Sequence, residues 1–280
     1  MQKIKRRAKY TLALLMAGTL TSTSFAGPIN SDVAFTPRKG GGVLRMQYTY
    51  ADAHGRGSAR NVREVQTSIA RVAVVLGLEA NLAMIINVPY VYRERKVYDS
   101  REGSVEDRRD GPADTTLLLK YRFWQDDSGP LQTERLAALF GVNLSNGDSS
   151  FSSDSYDPIV GLVYSWRRDR KVFDADMVYT IKTGEGNFDV DSLRYDLAYS
   201  YRIFPERFSA TSESQWSVVA EMNGRYNIDG THEIFLSPGI QYTSEQRTWE
   251  ASFQLPTVQE LASNGVETDY RFSIGWRFRW

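Results

Sequence analysis

Apolar and polar residues alternate with a period of two along most of this chain, the signature of strands with two chemically different faces. The pattern is clearest at the C-terminus, residues 268–280 (TDYRFSIGWRFRW). There Tyr270, Phe272, Ile274, Trp276, Phe278 and Trp280 hold every second position, with Arg271, Ser273, Gly275, Arg277 and Arg279 between them. Successive strand side chains point to opposite faces, so this segment has an aromatic face and a cationic one. Eleven further segments of similar grammar precede it, separated by turn-forming clusters: 43–51, 63–76, 82–92, 113–124, 135–145, 156–166, 171–183, 192–203, 216–227, 233–243 and 248–256. The register of 63–76 is open, because its end is apolar on both faces.

Twelve strands of about ten residues, with aromatics gathered on one face, fit an all-β chain: a transmembrane antiparallel up-and-down β-barrel of about 12 strands. Its apolar face would meet lipid and its polar face a lumen. A soluble β-sandwich also alternates, but with shorter strands and closer turns. Closure is the physical reason to prefer a barrel, because in lipid only a closed sheet pairs every strand edge. If the last strand ends on the periplasmic side, the connections 52–62, 93–112, 145–156, 184–191, 228–232 and 257–267 face outside. Those at 77–81, 125–134, 167–170, 204–215 and 244–247 face inside, and the outside set is the longer on average.

The N-terminus places such a barrel in the bacterial outer membrane. Lys3, Lys5, Arg6, Arg7 and Lys9 precede an apolar run from Tyr10 to Leu20, and STSFA at 22–26 places Ser24 and Ala26 as the small residues of an A-x-A-like cleavage site. This is a secretory signal peptide over 1–26, cut after Ala26; the run is too short to span a bilayer as a helix. Residues 27–42 (GPINSDVAFTPRKGGG) show neither period and form a tail, lying either in the periplasm or in the lumen as a partial plug. The barrel proper is 43–280. All five charges of the leader are basic, which leaves 29 Lys+Arg against 34 Asp+Glu in the exported chain, a balance that argues against nucleic acid as a partner. The absence of cysteine excludes disulfides and thiolate chemistry.

The segments 113–123 (ADTTLLLKYRF), 141–148 (GVNLSNGD), 156–165 (YDPIVGLVYS), 195–203 (YDLAYSYRI), 235–242 (FLSPGIQY), 253–261 (FQLPTVQEL) and the terminal strand occur together in this order. In that they resemble the outer-membrane family of the meta-pathway of phenol degradation, with Ser145-Asn146 standing where the family often has Pro-Thr before Gly-Asp. The resemblance covers most of 76–280. It implies a porin-like barrel, suggests passage of small hydrophobic or aromatic compounds, and brings no catalytic residues. The segment 143–147 (NLSNG) resembles weakly the serine segment of outer-membrane phospholipase, which makes a barrel enzyme acting on lipid the alternative. Such a serine needs a base, and Asn143 cannot serve.

Candidate chemistry therefore sits on the inward face. Arg45, Lys120, Arg122, Arg194, Arg202, Arg225, Arg271 and Arg277 are expected to line the pore with Asp114, Asp174, Asp176, Asp196, Glu221 and Glu250. Mixed signs favour internal ion-pair ladders over a filter of one sign. Phe278 and Trp280 form the assembly signal read by the barrel-assembly machinery. His54 and His232 are expected in solvated loops. No cofactor and no metal site is expected, although Asp148, Asp154, Asp157, Asp189 and Asp191 could gather calcium at the mouth. The loop 94–112, with eleven charges in nineteen residues, would be wet, touch lipopolysaccharide, or serve surface interaction.

Overall fold

Thirteen strands form one antiparallel sheet. They are β1 (Gly42–Gly55), β2 (Val62–Glu79), β3 (Leu82–Asp99), β4 (Gly103–Pro112), β5 (Thr116–Gly129), β6 (Gln132–Asn143), β7 (Asp157–Arg168), β8 (Lys171–Thr180), β9 (Ser192–Phe204), β10 (Ser214–Asn227), β11 (His232–Ser244), β12 (Arg247–Glu260) and β13 (Val266–Arg279). The computed structural model describes residues 27–55, 62–99, 103–129, 131–184, 190–207, 212–261 and 266–280; the leader expected over 1–26 lies outside them. Twelve strands close into a ring, because β1 pairs with β2 on one side and with β13 on the other, from Val43↔Arg279 to Gly55↔Val266. Closure leaves no edge in the ring to be satisfied by lipid.

β4 stands outside the ring. It pairs with β3 alone, from Tyr90↔Pro112 to Asp99↔Gly103, while the lower part of β3 pairs with β5 from Leu82↔Tyr121 to Asn87↔Thr116. This replaces the loop expected at 94–112 by a strand pair, whose side chains at 105–110 are exposed as expected of a wet segment. Charges meet charges across the ribbon: Glu94 opposes Arg108, with the Nε of Arg108 3.2 Å from the Glu94 carboxylate, and Arg95 opposes Asp107. Alternating charge carries no hydrophobic period, so a pattern of apolar positions cannot detect it. Other ends move less. β5 runs on to Gly129 and meets β6 at Gly129↔Gln132, so the connection expected over 125–134 is a tight hairpin. Arg167 and Arg168 belong to β7, and the turn is left to Asp169 and Arg170, with Asp169 at φ 54°.

The two faces follow the parity read from the sequence. Phe140, Leu162, Met177 and Trp249 point outward and are each more than half exposed. Asp174, Glu221, Ser237, Gln241 and Thr248 point inward and are almost fully buried. The polarity is inverted relative to a soluble fold, and large apolar side chains around the outside are the lipid-facing surface of a bilayer-spanning barrel. For β2, the register Arg45↔Ala73 turns Arg71 and Ala73 inward and Val72 outward.

Candidate functional site

The inward face would leave a string of desolvated polar groups if the lumen were dry and empty, and such groups need partners. Residues 27–41 supply many of them. The tail enters beside the turn end of the ring, where Gly40 N–H donates to Gly77 O and Gly77 N–H to Gly41 O, both at 2.9 Å. A side chain at position 77 would collide with the backbone oxygen of Arg38, so this approach requires glycine there. Thr36 donates to Ala80 O at 2.8 Å. Phe35 lies between two guanidiniums, 3.9 Å from that of Arg135 and 3.6 Å from that of Arg167.

Deeper in, Ala34 N–H donates to Ser165 Oγ at 2.9 Å and Lys120 Nζ to Val33 O at 2.6 Å. Asp32 N–H donates to Asp176 at 2.8 Å. The Asp32 carboxylate takes Arg194 at 2.6 Å, and Arg194 also reaches Asp176 at 3.1 Å and Asp196 at 3.4 Å. Further along, Glu221 accepts the N–H groups of Ile29 and Asn30, the latter at 2.8 Å. Arg45 and Gln47 donate to Ile29 O, Arg277 to Pro28 O, and Gln241 to Gly27 O at 2.7 Å. Ile29 itself is fully buried, with its Cδ1 packed where a Cβ on Gly239 would stand. Asn30 also donates to Ser252 Oγ at 3.2 Å, so the tail crosses the lumen tied to every strand of the ring from β5 to β13 and to β1 and β2.

Most of the expected pore residues meet here. Arg45 and Arg277 flank Glu250 at 2.7 and 2.6 Å, a three-membered ion cluster behind the tail. Asp174 accepts from Ser165. Arg202 is buried near the turn end, where its carbonyl accepts from Arg170 at 2.9 Å. Arg122 reaches the β2–β3 turn, donating to Ala80 O at 2.8 Å. Arg271 lies over Phe235 and 3.7 Å from Glu233, and Arg225 is exposed in the loop-end half.

Asp114 departs from the expectation. It precedes β5 instead of facing the lumen from it, and its carboxylate binds Gly147 N–H at 3.0 Å, Ser153 N–H at 2.7 Å and Ser153 Oγ at 2.8 Å. Burial opposes its charge, but these donors outweigh burial and lower its carboxyl below the ordinary value. Asp114 therefore fastens the segment 144–156 to the rim.

Several lumen residues escaped sequence reading. Arg71 did so because the apolar end of β2 left its parity open. Arg135 opens the segment 135–145 and is not singled out there, Arg167 falls in the expected turn 167–170, and the polar neutral residues Gln47, Asn223, Gln241 and Ser165 share the inward parity that would have found them. Among the described residues no group of three or more His, Asp or Glu side chains is placed to hold a metal. Asp157 instead pairs with Lys182 at 2.6 Å, and Asp191 binds Tyr179 at 2.6 Å; Asp189 lies outside the described residues. His54 contacts Asp269 at 3.0 Å and His232 contacts the Tyr195 hydroxyl at 2.6 Å. Phe278 stacks between Trp276 and Trp280 at 6.0 and 6.3 Å, and Trp280 exchanges two backbone hydrogen bonds of 3.2 Å with Gly42.

A cavity of about 350 Å³ lies in the loop-end half above Asn30–Asp32. A pocket at the turn end among Val172, Ser200, Arg202 and Gln215 is about 10 Å³, too small for more than one water.

A closed ring of twelve strands with an apolar exterior and a charged, internally paired lumen defines a transmembrane β-barrel of the outer-membrane type. The chain belongs to the family described as "Putative MetA-pathway of phenol degradation", whose profile matches residues 47–272. The fold is similar to that of an outer membrane channel from Pseudomonas putida F1, with a TM-score of 0.63 at 9% identity, covering 90% of this chain and 100% of that one. Weaker likenesses reach the NanC porin (TM-score 0.47, 13% identity, 84% of this chain and 98% of that one) and the CymD monoaromatic hydrocarbon channel (0.43, 11%, 87% and 89%). No curated protein matches the sequence.

Proposed function

We infer that this protein is an outer-membrane channel for passive passage of small solutes, hydrophobic or aromatic ones included, with the tail 27–41 as its internal closure. The observation that carries this reading is a cavity of about 350 Å³ in the lumen, lined by Asn30, Ser31 and Asp32 of a tail that is bonded to strands around the ring. The tail is held by hydrogen bonds, ion pairs and packing, so passage needs only its displacement. Solutes would move down their concentration gradient. Lipid and lipopolysaccharide surround the barrel, and the aromatic terminus at Phe278 and Trp280 addresses the assembly machinery.

The charged residues of the lumen shape the passage and hold the tail; none is assigned a catalytic role. A lipid-cleaving enzyme needs a serine beside a base. Among the described residues the two histidines pair with Asp269 and Tyr195 instead. The test is conductance across planar bilayers of the whole chain and of a variant lacking 27–36. The whole chain is expected to give small, brief steps and the shortened one larger, longer steps. Silent membranes from both, with barrels that still change gel mobility on boiling, overturn the channel; release of fatty acid in their place would establish the enzyme.

A further inference from the structure

The larger cavity is chemically two-sided. Ile85, Leu118, Ile159 and Val178 present aliphatic side chains from β3, β5, β7 and β8. Facing them are four arginines, Arg45 and Arg71 from β1 and β2, and Arg194 and Arg225 from β9 and β10. Asp32 is the one acid among the lining residues.

The four guanidiniums are not equivalent. Arg45 is held by Glu250, and Arg194 by Asp32, Asp176 and Asp196. Arg71 and Arg225 form no ion pair among the described residues. Arg71 donates one long bond, 3.3 Å, to Gln47, and its Nε is buried without a partner. The Oδ1 of Asn87, opposite Ala73 on the neighbouring strand, is likewise buried and unpartnered. A buried donor left unsatisfied is costly, and a guanidinium in that state suits a planar oxyanion that takes two parallel N–H groups.

We propose that this cavity is a binding site for a small organic monocarboxylate with an apolar body. Arg71, with Arg225 opposite, holds the carboxylate, and the aliphatic wall takes the hydrocarbon part. Inorganic anions satisfy only the arginines, and uncharged hydrocarbons only the wall, so the site selects molecules that carry both. The proposal rests on the channel reading and names its substrate class.

The experiment uses the full chain in detergent and the same preparation in planar bilayers. Benzoate, with one carboxylate on a rigid apolar ring, is titrated calorimetrically beside acetate, chloride and benzyl alcohol. Benzoate is expected to bind more tightly than the other three and to reduce the current in chloride. Arg71→Gln should weaken benzoate about tenfold or more, the loss of a charge-assisted pair, and leave benzyl alcohol unchanged. Ala73→Phe keeps every arginine and fills the space between them, so it should abolish benzoate binding and serves if the first variant does not fold. Equal binding of benzoate and benzyl alcohol, equal binding of benzoate and chloride, or an Arg71→Gln protein that holds benzoate as well as its parent each overturns the site. Conductance that persists with no effect of benzoate would sink the site and leave the channel standing. Benzoate binding in a silent membrane would sink the channel instead.

Discussion

Glu221 is the single side chain whose loss should most directly unseat the tail. It is almost fully buried, and its two oxygens accept the N–H groups of Ile29 and Asn30. Hydrogen bonds to a charged acceptor contribute about 1.5–3 kcal/mol each, and a buried donor left alone costs about 1–3 kcal/mol. Glu221→Gln keeps one acceptor oxygen, now uncharged, and turns an NH₂ toward the other N–H, so one bond falls to neutral strength, a loss of about 1 kcal/mol, and one donor is stranded at about 1–3 kcal/mol. The expected penalty is about 2–4 kcal/mol for any state with 27–32 in place. At 1.4 kcal/mol per decade, the ratio of unseated to seated tail should rise about 30- to 700-fold. The chain has no cysteine, so a single Ser31→Cys, at a position 7% exposed, reports on the tail without background. A water-soluble maleimide should modify Ser31→Cys slowly and the Ser31→Cys, Glu221→Gln double variant at least about thirtyfold faster, by the same free-energy difference. Rates within about threefold of each other, in barrels that both still show heat-modifiable mobility, would refute the assignment of Glu221 as an anchor and with it the worked magnitude.

Three other outcomes are expected. Because the Asp114 carboxyl is depressed in the folded protein, its contribution is fully present above the ordinary value of 3.8 and disappears as the pH falls through the lowered value. Hydrogen-exchange protection of the Gly147 and Ser153 amides should therefore be flat above pH 4 and fall in stronger acid. Asp114→Asn should lack about ten- to a hundredfold of it at neutral pH, and unchanged protection there would contradict the clamp. Leu162→Arg places a charge on the outward face, and denaturation from vesicles should show a loss of about 2–4 kcal/mol if that position lies near the midplane; a loss under about 1 would place it at the interface. Trp280→Ala removes an outward aromatic at the chain's end while leaving the ring's strand pairs, so it should lower the yield of heat-modifiable barrel in cells. Refolding from denaturant should be nearly unaffected, and an equal defect in both would make the residue structural rather than an assembly signal.

Parity along β5, β7, β8, β9, β10, β12 and β13 was legible because alternation of faces is built into strand geometry over a few residues. Leu162 and Trp249 are greasy, and their neighbours Val163 and Glu250 turn inward, whatever the rest of the chain does. For the same reason the number of strands in the ring was legible, since each needs its own alternating segment. Legibility stopped where the apolar code stops. β4 is written in charge, the end of β2 is apolar on both faces, and Arg71 fell in the second of these gaps. Asp114 was misplaced because an alternating run says nothing of where pairing begins.

Residue order alone sets a strand-built shell, greasy outside and charged inside, and an aperiodic stretch ahead of it. Where that stretch goes, and which charges it engages, follows from the folded ring. Its partners lie far away in the chain: Ser165 is 131 residues from Ala34, Asp176 144 from Asp32, and Arg277 249 from Pro28. Such contacts exist only once the ring has closed and brought β7, β8 and β13 around a common lumen. Closure also fixes which arginines find carboxylates and which, like Arg71, are left facing open space. Local geometry sets the direction of each side chain, whereas the neighbour it meets is set by the register of twelve strands at once.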